Sequence, residues 1–345
     1  MEVEQKVFQF NDMLGPEKII YIHDVETKLR AVLVIDNTAR GPALGGIRIA
    51  SDITTKEVFR LARSMTFKWA GIDVPLGGGK SGIFADSKAL NKIELIRAFA
   101  RAIKPFSENT YIPGPDIGTD EQCMAIIYEE WGRKSKAICG LPKELGGIPL
   151  DELGATGYGV AVAAEAAAKF KDLELSDATA SIQGFGAVGA AAAKFLAEKG
   201  VKIVAASTTQ GAVYNPKGLD LKKLLELRKR YGGLCVTKYE DATHIEKDDL
   251  LYLDTEILVP CARPDVITEE NVDKVKAKLI VPGANIPSTE EAERILHNRG
   301  VIVVPDFIAN AGGAVCCSVE VLEGGTWEEA TKRIAKKLAE NIRII

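Results

Sequence analysis

Histidine is scarce in this 345-residue chain, which has three, and none of its six cysteines forms a CxxC pair. Those shortages make a poor framework for a metal site or for disulfides. Cysteine usage of this kind fits a reducing cytoplasm, and the neighbouring Cys316 and Cys317 read as small apolar fillers. No apolar run approaches the length of a membrane span, and the opening residues MEVEQKVFQF lack a signal-peptide pattern. A formal net charge of −4, with basic residues scattered, gives no electrostatic case for nucleic acid. What remains is an ordinary globular composition, 46% hydrophobic and 27% charged, in a chain long enough for two domains.

One stretch imitates a phosphate-binding loop. PLGGGKSG, Pro75 to Gly82, sets Lys80 behind three glycines. The phosphate-loop pattern needs a glycine five places before its Gly-Lys pair, and Val74 stands there. The glycines are therefore expected to let the backbone and a small ligand approach the Lys80 amine.

The two parts of the chain are patterned differently. In the first, KIIYIHD and RAVLVIDN predict neighbouring antiparallel strands. TTKEVFRLARSMTFKW predicts a helix, with Thr54 and Glu57 placed as a capping box. NKIELIRAFARAIKPF and DEQCMAIIYEEWGRK predict two more, with the loop YIPGPDIGT between them. GLPKELGGIPL, rich in Gly and Pro, marks a hinge over residues 140–150. Beyond it, strands such as ATASIQGFG, VKIVAAS, TEILVPC and LIVPGAN alternate with helical segments, TEENVDKVKAK among them. That alternation predicts a doubly wound parallel sheet over 151–309. The expected fold class is α/β: a mixed-sheet domain over 1–139, a Rossmann domain, and a helical segment over 310–345 returning to the first domain.

GFGAVG, Gly184 to Gly189, stands between the apolar strand TASIQ and the helix AAAAKFLAEKG, the context that a dinucleotide fingerprint requires. Gly184 permits the turn, Gly186 admits the pyrophosphate, and Gly189 lets helix and strand pack closely. Phe185, Ala187 and Val188 complete the loop. A tight turn with no ligand is the plainer alternative. The next strand ends AASTTQG, without the acid that an NAD ribose calls for. Ser207, Thr208 and Thr209 could donate to a 2′-phosphate, so NADP is favoured over NAD, although no arginine is placed to clamp it.

In the helix before the glycine stretch, Val58, Leu61, Met65 and Lys68 fall on one face. A lysine there reads most simply as a snorkelling side chain. Lys80 twelve residues on changes the balance: two ammonium groups near one pocket, both desolvated, suit an anionic substrate and a lysine that exchanges protons near neutrality. Asp116, stiffened by Pro113, Gly114 and Pro115 and followed by Thr119, would alone be read as a turn former.

Together these segments carry a resemblance. GPALGGIRI, MTFKWAGIDVPLGGGKSGI, IPGPDIGTD, ATGYGV, GFGAVG, VPGANIPST and VPDFIANAGGAV occur in the order found in glutamate, leucine, phenylalanine and valine dehydrogenases. The resemblance implies that Lys68 holds a substrate α-carboxylate, that Lys80 is the catalytic lysine and that Asp116 handles protons at the amine. It implies that Thr156, Asn285 and Asn310 surround the nicotinamide and its ribose, with Cys261 and Ala262 also lining the cofactor. It further implies a substrate-binding and oligomerisation role for the first domain, a hexamer or octamer of identical chains, and a helical segment in relatives beyond the equivalent of Ile345.

Within that resemblance the substrate divides the readings. Glutamate enzymes present a lysine where Leu44 stands in GPALGG, and a serine where Cys317 stands. A carboxylate buried against leucine and cysteine costs at least several kcal/mol. An apolar side chain of the leucine, valine or phenylalanine type is therefore expected, in a pocket lined by Leu44, Gly45, Gly46, Met65, Gly114, Ala314 and Cys317. Gly114 and Ala314 should leave room for a branched or aromatic group. Against this, LGGIPLDELGATGYGV and VPDFIANAGG resemble the glutamate branch in wording, and Arg48 or Lys143 could bring in a cation. A regulatory protein that kept the fold without the chemistry should have lost Lys80 or Asp116. A hydroxy-acid dehydrogenase would call for a catalytic histidine, and His23, His244 and His297 lie outside every motif.

Overall fold

The computed structural model describes residues 10–107, 109–133 and 137–344. Met1 to Gln9, on which the targeting reading mainly rests, lie outside them. The described residues fall into two compact units: those up to Pro149 with Cys316–Ala330, and Leu150–Val315 with the residues from Thr331 onward. Among the described residues no helix is long and apolar enough to cross a membrane.

The first unit is built on a five-stranded sheet of β1 (Lys18–Asp24), β2 (Leu29–Asn37), β3 (Ala43–Ala50), β4 (Gly77–Phe84) and β5 (Tyr111–Pro115), in the order β1-β2-β4-β3-β5. β1 and β2 are antiparallel, as are β2 and β4, whereas β3 runs parallel to both β4 and β5. Alternation along β2 shows why the sheet needs cover on both faces. Val32 and Val34 meet Val58 and Ala62 of α1 (Thr55–Gly71), while Leu33 and Ile35 join Leu95, Phe99, Met124 and Ile127. Those last four come from α2 (Lys92–Ile103) and α3 (Glu121–Glu130). Thr54 caps α1 by accepting from the Glu57 N–H at 3.1 Å.

The stretch GGGKSGIF, expected as a loop around a ligand, is β4 itself, a nearly fully buried strand in the interior of the sheet. Glycine in a strand interior marks a place where another part of the chain comes close.

The second unit holds a seven-stranded sheet, β6 (Thr179–Gln183), β7 (Lys202–Thr208), β8 (Gly211–Tyr214), β9 (Thr243–Ile245), β10 (Ile257–Pro260), β11 (Leu279–Ile280) and β12 (Ile302–Val303). Its order is β12-β11-β10-β6-β7-β8-β9. The first five strands in that order are parallel, and β8 and β9 extend the sheet antiparallel. The expected all-parallel sheet is thus mixed at one edge, because Thr209 and Gln210 make a two-residue hairpin that no crossover helix can replace. Its helices include α4 (Ala155–Ala168), α5 (Ala187–Glu198), α6 (Leu221–Tyr231) and α7 (Glu290–Asn298). The helix expected over TEENVDKVKAK is reduced to one turn at Val272–Lys274. There the Arg299 guanidinium binds the carbonyls of Val272 and Val275, so these are not left for a helical ladder.

The tail also differs from expectation. α8 (Gly312–Ser318), a π-helical turn at Val319–Glu323 and α9 (Trp327–Ile344) follow, but only Cys316–Ala330 groups with the first unit. The rest of α9 stays with the second unit, where Ile334, Leu338 and Ile342 make a buried stripe at spacings of four. Ile342 enters the core formed with α4 and the sheet.

Candidate active site

Lys80 lies mid-strand in β4 and is 2% exposed. On the face it shares with Gly78 and Gly82, α1 approaches closely. A Cβ on Gly78 would stand 2.1 Å from Thr66 Oγ1, and one on Gly82 2.7 Å from Val58 Cγ2. Gly77 is equally confined, by the Asn37 carbonyl at 2.1 Å, and Gly79 lies under the Tyr111 ring at 3.1 Å. These glycines admit protein rather than a ligand, which corrects the expectation drawn from PLGGGKSG. Their effect is to bring α1, with the buried Met65 and Lys68 in its second half, down onto the strand that bears Lys80.

Asp116 follows β5 directly. Its backbone is held by Thr119, whose Oγ1 accepts from the Asp116 N–H at 2.8 Å and donates to the Ile47 carbonyl at 2.8 Å. Gly46 is needed beside it, since a Cβ there would fall 2.7 Å from Asp116 Cβ. Lys80 Nζ lies 3.1 Å from Asp116 Oδ2. Arg48 Nε donates to the same oxygen at 2.8 Å, and Arg48 Nη1 to Glu57 Oε1 at 2.7 Å. The sequence offers Arg48 only as a cation for the substrate side chain, and does not mark Glu57 as a site residue. Its spacing from Thr54 predicts a capping box, of which only the Thr54 half forms.

Burial is the largest influence on the Lys80 amine and lowers its pKa; the Asp116 carboxylate works against that, and Arg48 adds to it. For Asp116, burial pushes upward, but the nearby Lys80 and Arg48 charges outweigh it and hold the carboxyl well below the usual range. The result is a firmly anionic aspartate beside a lysine that loses its proton more readily than a solvated one. Among the described residues no cluster of His, Cys, Asp and Glu could hold a metal ion.

The residues expected around a substrate side chain are only partly brought together. Leu44 is 3% exposed on β3, and its carbonyl accepts from Trp69 Nε1 at 3.0 Å. Gly45 serves the sheet: a Cβ would sit 1.6 Å from the Gly79 carbonyl oxygen. Cys317 is not a free apolar filler, because it forms a disulfide with Cys139. That bond joins residues 178 apart, and spacing rules that look for near neighbours cannot see it. The room expected at Gly114 faces Cys139, whose Cβ lies 3.6 Å from where a Gly114 Cβ would be. Ala314 belongs to the other unit. Arg48 is committed to Asp116 and Glu57, and Lys143 is exposed.

A half-buried acid accompanies the disulfide. Glu320 accepts from the Gly140 and Leu141 N–H groups, both at 3.1 Å. Burial pushes its carboxyl up to about 7, more strongly than those two N–H groups pull it down.

The second unit presents the glycine loop after β6. Gly184 has φ +90° and fits tightly against Ala262, and Gly189 allows no Cβ because the Gly184 carbonyl oxygen lies 2.0 Å from its place. Gly186 faces open space, with nothing within 4 Å. This is the pattern a pyrophosphate needs: two glycines confined by the fold and one left clear at a helix N-terminus. Gln183 Oε1, just before the loop, is buried without a donor among the described residues. Cys261 and Ala262 follow β10, at the point beside β6 where the strand order reverses. Cys261 is a packing thiol, pushed up to about 12 by burial. Asn310 is 4% exposed, with Nδ2 donating to the Ala284 carbonyl at 2.9 Å, and Thr156 on α4 is half-buried. Asn285 follows β11 in the same unit.

At the end of β7 the donors differ from those expected. Ser207 Oγ accepts from the Gly184 N–H at 3.1 Å, and Thr208 spends its hydroxyl proton on the Gly233 carbonyl at 2.7 Å. Thr209 is exposed. A guanidinium does reach the loop: Arg228 Nε, from α6, donates to the Phe185 carbonyl at 3.1 Å. Nothing in the local pattern of LKKLLELRKRY distinguishes Arg228 from its basic neighbours.

A dinucleotide loop in one unit and a buried lysine–aspartate pair in the other define an α/β enzyme of the dinucleotide-binding class. The chain belongs to the glutamate/leucine/phenylalanine/valine dehydrogenase family. The model of that family matches residues 146–344, and the model of its dimerisation domain matches residues 9–133. A glutamate dehydrogenase from Aeropyrum pernix is 39% identical over 323 residues, covering 90% of this chain and 77% of that one. An NADP(+)-dependent glutamate dehydrogenase from Pyrobaculum calidifontis is 39% identical over 321 residues, covering 88% and 76%. An NAD-specific one from Staphylococcus aureus is 39% identical over 316 residues, covering 88% and 75%. Among solved structures, the hetero-hexameric glutamate dehydrogenase of Thermus thermophilus in its Leu-bound form superposes with a TM-score of 0.86. It is 29% identical, over 95% of this chain and 82% of that one.

Proposed function

We propose that this protein catalyses the reversible NAD(P)-dependent oxidative deamination of L-glutamate to 2-oxo acid and ammonia. The observation that carries the reaction is the buried contact of Lys80 with Asp116, 3.1 Å apart, in a family of amino-acid dehydrogenases. Glutamate as substrate is supported by the glutamate dehydrogenases that match most of the chain.

The residues divide the work as follows. Lys68 holds the α-carboxylate and fixes the substrate, a role for a buried cation. Asp116, anionic, accepts a proton from the substrate ammonium, so that the amine is neutral when hydride leaves Cα. The bound dinucleotide supplies the hydride acceptor. Lys80, its pKa lowered, takes a proton from water as that water adds to the imine, and returns it as ammonia departs. Substrate and water thus yield the 2-oxo acid and ammonium, with one hydride passed on and one proton released. In this reading the first unit handles substrate and oligomerisation and the second binds cofactor. The partners are small molecules, and identical chains assemble as a hexamer or octamer; the Cys139–Cys317 disulfide counts against the reducing cytoplasm expected from cysteine spacing. The absence of an acid after β7, with Arg228 beside the loop, supports NADP ahead of NAD.

A second reading, an apolar substrate of the leucine, valine or phenylalanine type, is favoured by one observation. The positions expected to meet a side-chain carboxylate are Leu44 and a disulfide-bonded Cys317. Assays of an amino-acid panel with NAD and with NADP, followed by absorbance of the reduced cofactor, separate the two. Highest kcat/KM on glutamate supports the first reading, and highest kcat/KM on leucine, valine or phenylalanine replaces it with the second. No turnover of any amino acid overturns both.

A further inference from the structure

Arg48 and Glu57 have no part in the reaction as written, yet they complete a partly buried chain of charges that ends on Asp116. We propose that the pair positions Asp116 and sets its basicity, Arg48 as the permanent anchor and Glu57 as the counter-charge that keeps the anchor from over-stabilising the carboxylate. The inference rests on the reading of Asp116 as the group that takes the amine proton.

Lys80 and Arg48 both meet Oδ2 of Asp116, and among the described residues no donor is bonded to Oδ1. The oxygen left for a substrate amine is therefore chosen by its two cationic neighbours. They are not equivalent. An amine in the position of Lys80 must change charge during turnover, and each time it does so its hold on Asp116 weakens. A guanidinium does not titrate in a protein, so Arg48 keeps Oδ2 fixed throughout the cycle. Its side chain is 5% exposed and comes from β3, where Ile47 pairs with Pro115, one residue short of Asp116. The anchor is thus built into the register of the sheet.

An unshared guanidinium would bind Asp116 too well. Placed 2.8 Å from the carboxylate and away from water, it suppresses proton uptake, and it also repels the charged form of Lys80. Glu57 draws part of that charge away through Nη1 at 2.7 Å. Lys68 of α1 is a further buried cation in this unit, and another titratable group that feels Asp116 is Tyr111 of β5. Its phenol is held by Ser81 at 2.9 Å and by the Gly45 carbonyl at 2.7 Å, and burial raises its pKa out of the working range. Arg48 and Glu57 are therefore the tunable part of the surroundings.

The test is the pH dependence of kcat and kcat/KM for the best substrate of the intact enzyme. Glu57→Gln keeps side-chain volume and should move the acid limb of kcat/KM, which reports the coupled Lys80–Asp116 pair, to lower pH by about 0.5–1 unit. Arg48→Gln should move it to higher pH and lower kcat at least about tenfold, with KM little changed. Arg48→Lys, which keeps charge but loses the fork, should lower kcat while leaving the limb near its wild-type place. Unshifted limbs in Glu57→Gln and wild-type kcat in Arg48→Gln would overturn the proposal. If Arg48→Gln does not fold, the direction of the Glu57→Gln shift decides alone. Lys80→Ala and Asp116→Asn in the same series keep the cases apart. Turnover surviving in them removes the site reading itself, whereas its loss together with unshifted Arg48 and Glu57 variants removes only this inference.

Discussion

Lys80 and Asp116 sit in surroundings that make opposite demands. The lysine is buried, which favours its neutral form, and the aspartate is flanked by cations, which favours its anion. Loss of either group should therefore remove proton transfer without disturbing the dinucleotide loop, which belongs to a unit with its own core. Lys80→Ala and Asp116→Asn should each lower kcat by about 10²–10⁴-fold. Titration with reduced cofactor, followed by fluorescence, should give wild-type affinity, and retention of a tenth of kcat in either variant would contradict the roles assigned. Leu44 is a second residue-scale test. Leu44→Lys adds a cation that a side-chain carboxylate can satisfy and a leucine cannot, so the ratio of kcat/KM on glutamate to that on leucine should rise at least about tenfold. A falling ratio would show that position 44 does not face the substrate side chain.

Individual elements explain why certain glycines matter and others do not. Gly189 is confined by the Gly184 carbonyl at 2.0 Å, so Gly189→Ala must push α5 off β6 and should cost about 1–3 kcal/mol. Gly186 faces open space, so Gly186→Ala should stay within about 0.5 kcal/mol of wild type while weakening cofactor binding. Thermal unfolding and cofactor titration on the two variants check the contrast, and equal destabilisation would contradict it. The π-helical turn at Val319–Glu323 carries a different signal, through Glu320. Its folded pKa is raised to about 7 from an ordinary value of 4.5, so the folded chain keeps a proton that the unfolded chain has released. Stability from this group is full below about pH 4.5 and is lost as pH rises through 7, by at most about 3 kcal/mol. Glu293, also near 7, acts in the same direction. The measurable quantity is therefore the difference between wild type and Glu320→Gln in denaturant midpoint at pH 5 and pH 8. Glu320→Gln should flatten that pH step, and an unchanged step would refute the assignment.

Across the whole molecule, the disulfide and Glu320 fasten the same place twice. Cys139 is bonded to Cys317, and the next two backbone N–H groups are bonded to Glu320. Closing a 178-residue separation restricts the unfolded chain, and such a bond typically contributes 2–4 kcal/mol. Adding a dithiol reductant should lower the unfolding midpoint of the wild type and leave Cys317→Ser unaffected. Equal midpoints for oxidised wild type and Cys317→Ser would show that the bond contributes nothing. Cysteine spacing argues against any such framework, because spacing along the chain says nothing about residues joined across the fold.

The sequence by itself determined the elements whose cause is local. The antiparallel pair β1 and β2, the Thr54 cap, and the strand–turn–helix around GFGAVG follow from alternation, capping chemistry and glycine placement within a few residues. It also pointed to Lys80 and Asp116, through motifs in family order. Tertiary structure alone decided what those residues touch. Gly78 and Gly82 are glycines because α1 crosses them, Glu57 meets Arg48 rather than its own backbone, and Arg48 meets an aspartate 68 residues away. Periodicity reports which face of an element is buried, but the partner on that face is selected by packing among elements far apart in the chain. A charge network is legible only once the sheet has set β3, β4 and β5 side by side.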